Sequence, residues 1–114
     1  HIPTHREALK GMFSLLNPGG QIVLTFPYNE HTYHADIYRH PQAGYGQQHP
    51  FIGQVYSRNE LNSWLADNGG VILKQIYYEA FTGAFWTMGD PIHPLRETTA
   101  DARHHLTCLL LAKS

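Results

Sequence analysis

The sequence predicts an α/β fold, and three local observations predict it. Residues 4–16 carry helical periodicity, Pro18-Gly19-Gly20 forms a tight turn, and Gln21-Ile22-Val23-Leu24-Thr25-Phe26 is a nearly continuous apolar run rich in β-branched residues. Helix, turn and buried strand in that succession is how α/β folds with parallel strands are assembled. At 114 residues the chain holds one core and is too short for two ordinary domains, so a single domain over residues 1–114 is expected.

The first helix opens at Thr4-His5-Arg6-Glu7, the pattern of a capping box, in which a threonine oxygen and a glutamate three residues later satisfy free amides. Leu9, Met12, Phe13 and Leu16 then recur at helical spacing, one apolar stripe that has to pack on something. Asn17-Pro18-Gly19-Gly20 stops the helix, because proline cannot continue it and glycine accepts a positive φ. The run of residues 21–26 ends at Pro27 and is expected to be a strand covered on both faces.

Residues 28–53 are rich in His, Tyr, Pro, Gly and Gln and hold no period, which predicts a long loop. Loops of that length are uncommon inside compact domains and are often functional or disordered, and this segment is the one expected to touch a ligand. Ser57-Arg58-Asn59-Glu60 opens a second helix with Leu61, Trp64 and Leu65 on one face, and Asn68-Gly69-Gly70 closes it. Residues 71–78 and 106–112 read as strands, with an irregular stretch over 80–104.

Composition excludes several classes. Apolar residues at 42% and charged residues at 15% are those of a folding chain, not a disordered one. With 8 basic and 9 acidic side chains there is no electrostatic footprint for nucleic acid or an anionic membrane. No run approaches the roughly 20 apolar residues that span a bilayer. The nine histidines add positive charge only below about pH 6.5. Cys108, the single cysteine, cannot form an internal disulfide and lies in an apolar run, which predicts a small buried hydrophobe in a reducing, cytoplasmic setting. No signal peptide precedes the first element, and a first residue of histidine in place of methionine is expected of a trimmed chain, a tag remnant or a fragment whose true start lies upstream.

Leu15-Leu16-Asn17-Pro18-Gly19-Gly20-Gln21-Ile22-Val23-Leu24-Thr25-Phe26-Pro27 is similar to the turn and fifth strand of class I S-adenosylmethionine-dependent methyltransferases. Residues 55–69, from Val55-Tyr56-Ser57-Arg58 to Asn68-Gly69, resemble a later helix of that family, and a terminal strand ends at Ala112-Lys113-Ser114. The resemblance covers nearly the whole chain and implies the C-terminal half of such an enzyme: a partial Rossmann-like sheet, strands 5-7-6, mixed, with flanking helices. It implies no cofactor-binding residues here, because the family's glycine-rich loop follows an earlier strand. The nearest glycine pair, Gly44-Tyr45-Gly46, has no strand before it. S-adenosylmethionine is therefore the cofactor of the intact family and is not expected to bind this chain alone, and no catalytic residue is assigned. The strand Gln21 to Phe26 would have a bare edge, which implies self-association or assembly with a separate N-terminal half. The alternative is a stand-alone, non-catalytic binding or dimerising module.

Pro27, Tyr28 and Asn29 are the first candidates for binding a small acceptor, since ligands of open α/β sheets sit beyond the carboxyl ends of strands. Tyr28 can bond or stack on a substrate, whereas Asn29 serves equally as a turn cap. His31 and His34 border the same segment. With His40 they present two imidazoles to one metal only if they form a helical turn, and Glu30 and Asp36 are near in sequence alone, so no metal site is assigned. Trp86, among Phe81, Phe85 and Met88, belongs either to a pocket wall or to packing, and His93 lies near Asp90 as a conceivable acid–base pair. The sequence holds no Ser-His-Asp signature, nucleophile elbow or phosphate loop.

Overall fold

The computed structural model describes residues 4–48, 50 and 52–114, so the readings at His1 and at His49 and Phe51 of the long loop fall outside it. Helix α1 (His5–Ser14) leads into strand β1 (Gln21–Pro27), and a long segment containing a 3-10 turn (Ile37–Arg39) connects to helix α2 (Arg58–Asn68). Three strands follow, β2 (Gly70–Phe81), β3 (Pro91–Thr98) and β4 (Leu106–Lys113).

The sheet corrects the expected fold class. It has four strands in the order β1-β4-β2-β3, and every neighbouring pair is antiparallel, so it is not the mixed three-stranded 5-7-6 sheet of a Rossmann-like half-domain. The fourth strand comes from the stretch read as irregular. Pro91, His93 and Pro94 disguised it, because prolines suit only an edge strand, which β3 is.

Burial also corrects the reading of β1. Ile22, Leu24 and Phe26 turn to the covered face, while Gln21, Val23 and Thr25 alternate to the open one, where Val23 is 67% exposed. Register carries that alternation across the sheet: Leu24 pairs with Leu109 and Ile22 with Leu111, both fully buried, whereas Val23 pairs with the less buried Leu110. Leu9 and Phe13 of α1 and Leu61 and Trp64 of α2 pack in one cluster with Leu109 and Leu111. Both helices therefore cover the same face, and the other presents exposed Val23, Val71, Leu73 and Leu95.

Neither expected capping box forms as drawn. Thr4 makes no side-chain cap bond, and Ser57 Oγ donates to Glu60 Oε1 at 3.3 Å instead of accepting from the helix amides. The stops hold: Gly69 caps α2 in the left-handed conformation, at φ 64°. At the end of α1, Lys113 Nζ donates to the carbonyls of Phe13 and Leu16 at 3.1 Å each, placing a cation on the negative end of the helix and tying β4 to it.

The long loop is built around Tyr38. Asp36 accepts from the main-chain N–H groups of Tyr38 and Gly53, and Ile37 N–H donates to Gly53 O at 2.7 Å. A Cβ on Gly46 would stand 2.4 Å from the Tyr38 ring, and one on Gly53 would stand 2.7 Å from it. Those glycines admit a phenol, and Gly46 needs its φ of 93° as well, so Gly44-Tyr45-Gly46 has a packing role. Ile37, Tyr38, Val55 and Met88 form a second small core, with Phe85 and Trp86 packed against it. No helix among the described residues is long and apolar enough to cross a membrane.

Candidate functional site

A cavity of about 400 Å³ opens where α1, α2 and the long loop meet the edge of β1. This volume falls within the range of small-molecule sites. Leu24 to Pro27 form its floor, Leu9 and Met12 one side, and Tyr56, Trp64, Tyr38 and Trp86 the rest of its apolar wall. The aromatic rings cross at steep angles: Phe26 meets Tyr56 at 5.4 Å and 83°, and Tyr56 meets Trp64 at 4.8 Å and 76°. Edge-to-face contacts of this kind fix the rings against one another.

Few polar groups border the cavity. His5 lies against Tyr56 at 5.0 Å and Trp64 at 5.4 Å. Trp64 Nε1 has no hydrogen-bond partner among the described residues, and Gln54 approaches the His5 ring as a weak hydrogen-bond partner. Burial lowers the His5 pKa, Arg6 acts in the same direction, and Glu60 and Gln54 oppose them. The imidazole is thus held neutral. Burial, with a contribution from Tyr33, pushes the Tyr56 phenol up to about 12. No Asp, Glu, Lys or Arg lines the cavity among the described residues. What remains is an uncharged, largely aromatic site beside a sheet edge.

No family model, curated protein or solved structure matches the chain.

Of the residues singled out in the sequence, Pro27 and Trp86 line the cavity. Tyr28 does not: it is buried, and its hydroxyl donates to Glu30 Oε1 at 2.8 Å. Asn29 Oδ1 accepts from the N–H groups of His31 and Thr32, the turn-capping role. His31 is exposed, and half-buried His34 packs on the Phe85 ring at 4.6 Å, 6.0 Å from His40. His93 is exposed on β3, at the opposite edge of the sheet from β1, and no described contact joins it to Asp90. The described residues contain no cluster of three or more metal-ligating side chains.

A second polar region, not anticipated from the sequence, lies beyond the end of β1. Arg58 donates to both Glu30 oxygens, at 2.8 and 3.1 Å, and to Gln75 Oε1 and the Tyr77 hydroxyl. Gln75 passes the chain on to Thr107 Oγ1 at 3.0 Å. Burial alone would raise the Glu30 pKa, but hydrogen bonds from Arg58 and Tyr28 and the charge of Arg58 outweigh it and hold the carboxyl below its usual range.

The two buried histidines before β4 are clamps. His104 Nε2 accepts from Glu30 N–H at 3.0 Å and its Nδ1 meets Ala102 O; His105 Nδ1 accepts from Ala80 N–H and its Nε2 donates to Gly83 O at 2.7 Å. Those partners assign the proton of His104 to Nδ1 and of His105 to Nε2. Every group here is answered by another, so the region holds structure and leaves nothing for a ligand. His5 was missed in the sequence, although one signal was present: it stands four residues before Leu9, on the apolar stripe.

Proposed function

We propose that this chain is the substrate-side portion of an S-adenosylmethionine-dependent methyltransferase, without catalytic activity of its own. It supplies an apolar acceptor pocket and leaves the cofactor to further polypeptide added along β1. The observation that carries the reading is the position of the cavity: it lies against edge strand β1, where the outward main chain of Val23 and Thr25 has no partner among the described residues and Tyr56 covers the Pro27 end, so a further strand can pair there. The resemblance of residues 15–27 and 55–69 gives the chemistry its name, and the single cysteine suits a reducing, cytoplasmic setting.

Calorimetric titration with S-adenosylmethionine tests it on two proteins, the chain alone and the chain extended through the coding sequence upstream of His1. No heat from the first and saturable binding by the second are expected. Tight binding by the chain alone, or none by the extended protein, contradicts the reading.

A second reading, a stand-alone binding or dimerising module, is favoured by the exposed apolar face carrying Val23 on the edge strand and Val71 and Leu73 on β2. It predicts light scattering that rises with concentration and falls back to the monomer value in Val23→Lys.

A further inference from the structure

We propose that the cavity binds a flat, uncharged aromatic lactam, or a heteroaromatic ring with the same edge, whose adjacent N–H and C=O pair with the outward main chain of Thr25 while its faces lie against the aromatic wall. That such a ligand is a methyl acceptor rests on the reading above; that it binds does not.

The orientation of the Thr25 main chain follows from the ladder. In an antiparallel pair, alternate residues exchange both hydrogen bonds with the partner strand and those between them turn both groups away. At the two ends of β1, Gly20 O accepts from Lys113 N–H at 2.9 Å and Tyr28 N–H donates to His105 O at 2.9 Å, so the even-numbered residues face β4. Pro27 confirms the opposite parity, since its carbonyl accepts from Tyr56 N–H on the open side. Val23 and Thr25 therefore point N–H and C=O outward, and neither has a partner there among the described residues. Thr25 borders the cavity although its side chain lies on the other, exposed face of the sheet, so what it offers the cavity is main chain.

The walls specify the rest of the ligand. Rings set at 71° to 83° around Phe26 give a planar guest one face to stack on and one edge to meet. An ionised guest would lose its water without gaining a counter-charge, because the lining has no charged side chain at neutral pH. A lactam loses little, since its two polar atoms are answered by a donor and an acceptor already in place and otherwise unpaired. Tyr38, from the loop that the sequence marks for ligand contact, and Trp86, from the connection between β2 and β3, complete the lining.

The test is an amide-resolved NMR titration of the chain with 2-quinolone, with its N-methyl derivative and with naphthalene. The quinolone is expected to shift the Thr25 amide and the Trp64 indole N–H and to bind about tenfold more tightly than the N-methyl compound, the loss expected for one hydrogen bond. Thr25→Pro removes the outward donor without touching the ladder to β4 and should cost about the same factor. Ala8→Trp fills the cavity and should abolish binding. Equal affinity for the quinolone and its N-methyl derivative, or a Thr25 amide that stays in place, overturns the proposal. So does a Thr25 amide that moves with protein concentration alone, because a second copy then occupies the edge. Quinolone binding by a chain whose extended form ignores S-adenosylmethionine would sink the methyltransferase reading and keep the pocket; the reverse result would do the opposite.

Discussion

Two polar regions flank the end of β1, and they treat buried polar groups in opposite ways. Around Glu30 and Arg58 each donor meets an acceptor, and two tyrosines, a glutamine and a threonine complete the set. Around the cavity, Trp64 Nε1 is buried without a partner, and the outward main chain of Thr25 on the sheet edge has none among the described residues. A buried polar atom without a bond costs about 1–3 kcal/mol, so an acceptor that reached Trp64 Nε1 would recover that cost. The first region explains how the long loop is held; the second is where something else belongs.

The largest expected effect comes from breaking the satisfied region. Arg58→Ala strips Glu30 of its ionic partner and should lower unfolding stability by about 2–3 kcal/mol in urea titration. An unchanged midpoint would show that the network does not hold the loop. Next in size, His105→Leu leaves Ala80 N–H and Gly83 O unanswered and should cost about 2 kcal/mol, measured the same way.

Stability against pH separates the regions further. Burial is the leading cause that lowers the pKa of His5, His34 and His105, so each binds its proton more readily when unfolded. Their contribution is full above the unfolded value of about 6.5 and is lost as pH falls below it and through the folded values. Glu30 is also depressed, so its contribution is full above about 4.3 and lost as pH falls through its folded value. Thermal melts should therefore fall in two steps on acidification. Arg58→Ala should shrink the lower step and leave the part that Glu79 contributes through Arg96 and Arg103, and a single step at carboxylate pH would show that the histidines are not held neutral.

The smallest effect is expected at His5. His5→Phe replaces a buried imidazole, held only by Gln54, by a ring of similar shape and should leave stability within about 1 kcal/mol of the parent, while shrinking the upper pH step. A loss above about 1 kcal/mol would mean that His5 has a further structural partner.

Much of the secondary structure was legible because it rests on local signals. The stripe from Leu9 to Leu16, the turn at Gly19 and the stop at Gly69 all lie where periodicity and turn residues put them. The sheet was not legible, because pairing joins residues far apart: Leu24 meets Leu109 and Tyr78 meets Glu97 across contacts that no local window contains. β3 was hidden by its prolines, and the exposure of Val23 by a run that reads as apolar on both sides. For the site, strand-end reasoning found Pro27, and the aromatic cluster found Trp86. His31 and His93 drew notice by residue type alone and lie exposed. His5 and the main chain of Thr25 escaped because a helical histidine on an apolar stripe and an outward amide carry no mark of their own.

The most direct test of the contrast is the Thr25 amide followed through a titration with 2-quinolone. A saturable shift of that resonance, with the N-methyl derivative needing about tenfold more ligand to reach it, is the result expected if the cavity and the free edge of β1 form one binding site. A resonance that does not move while the chain stays folded would contradict it.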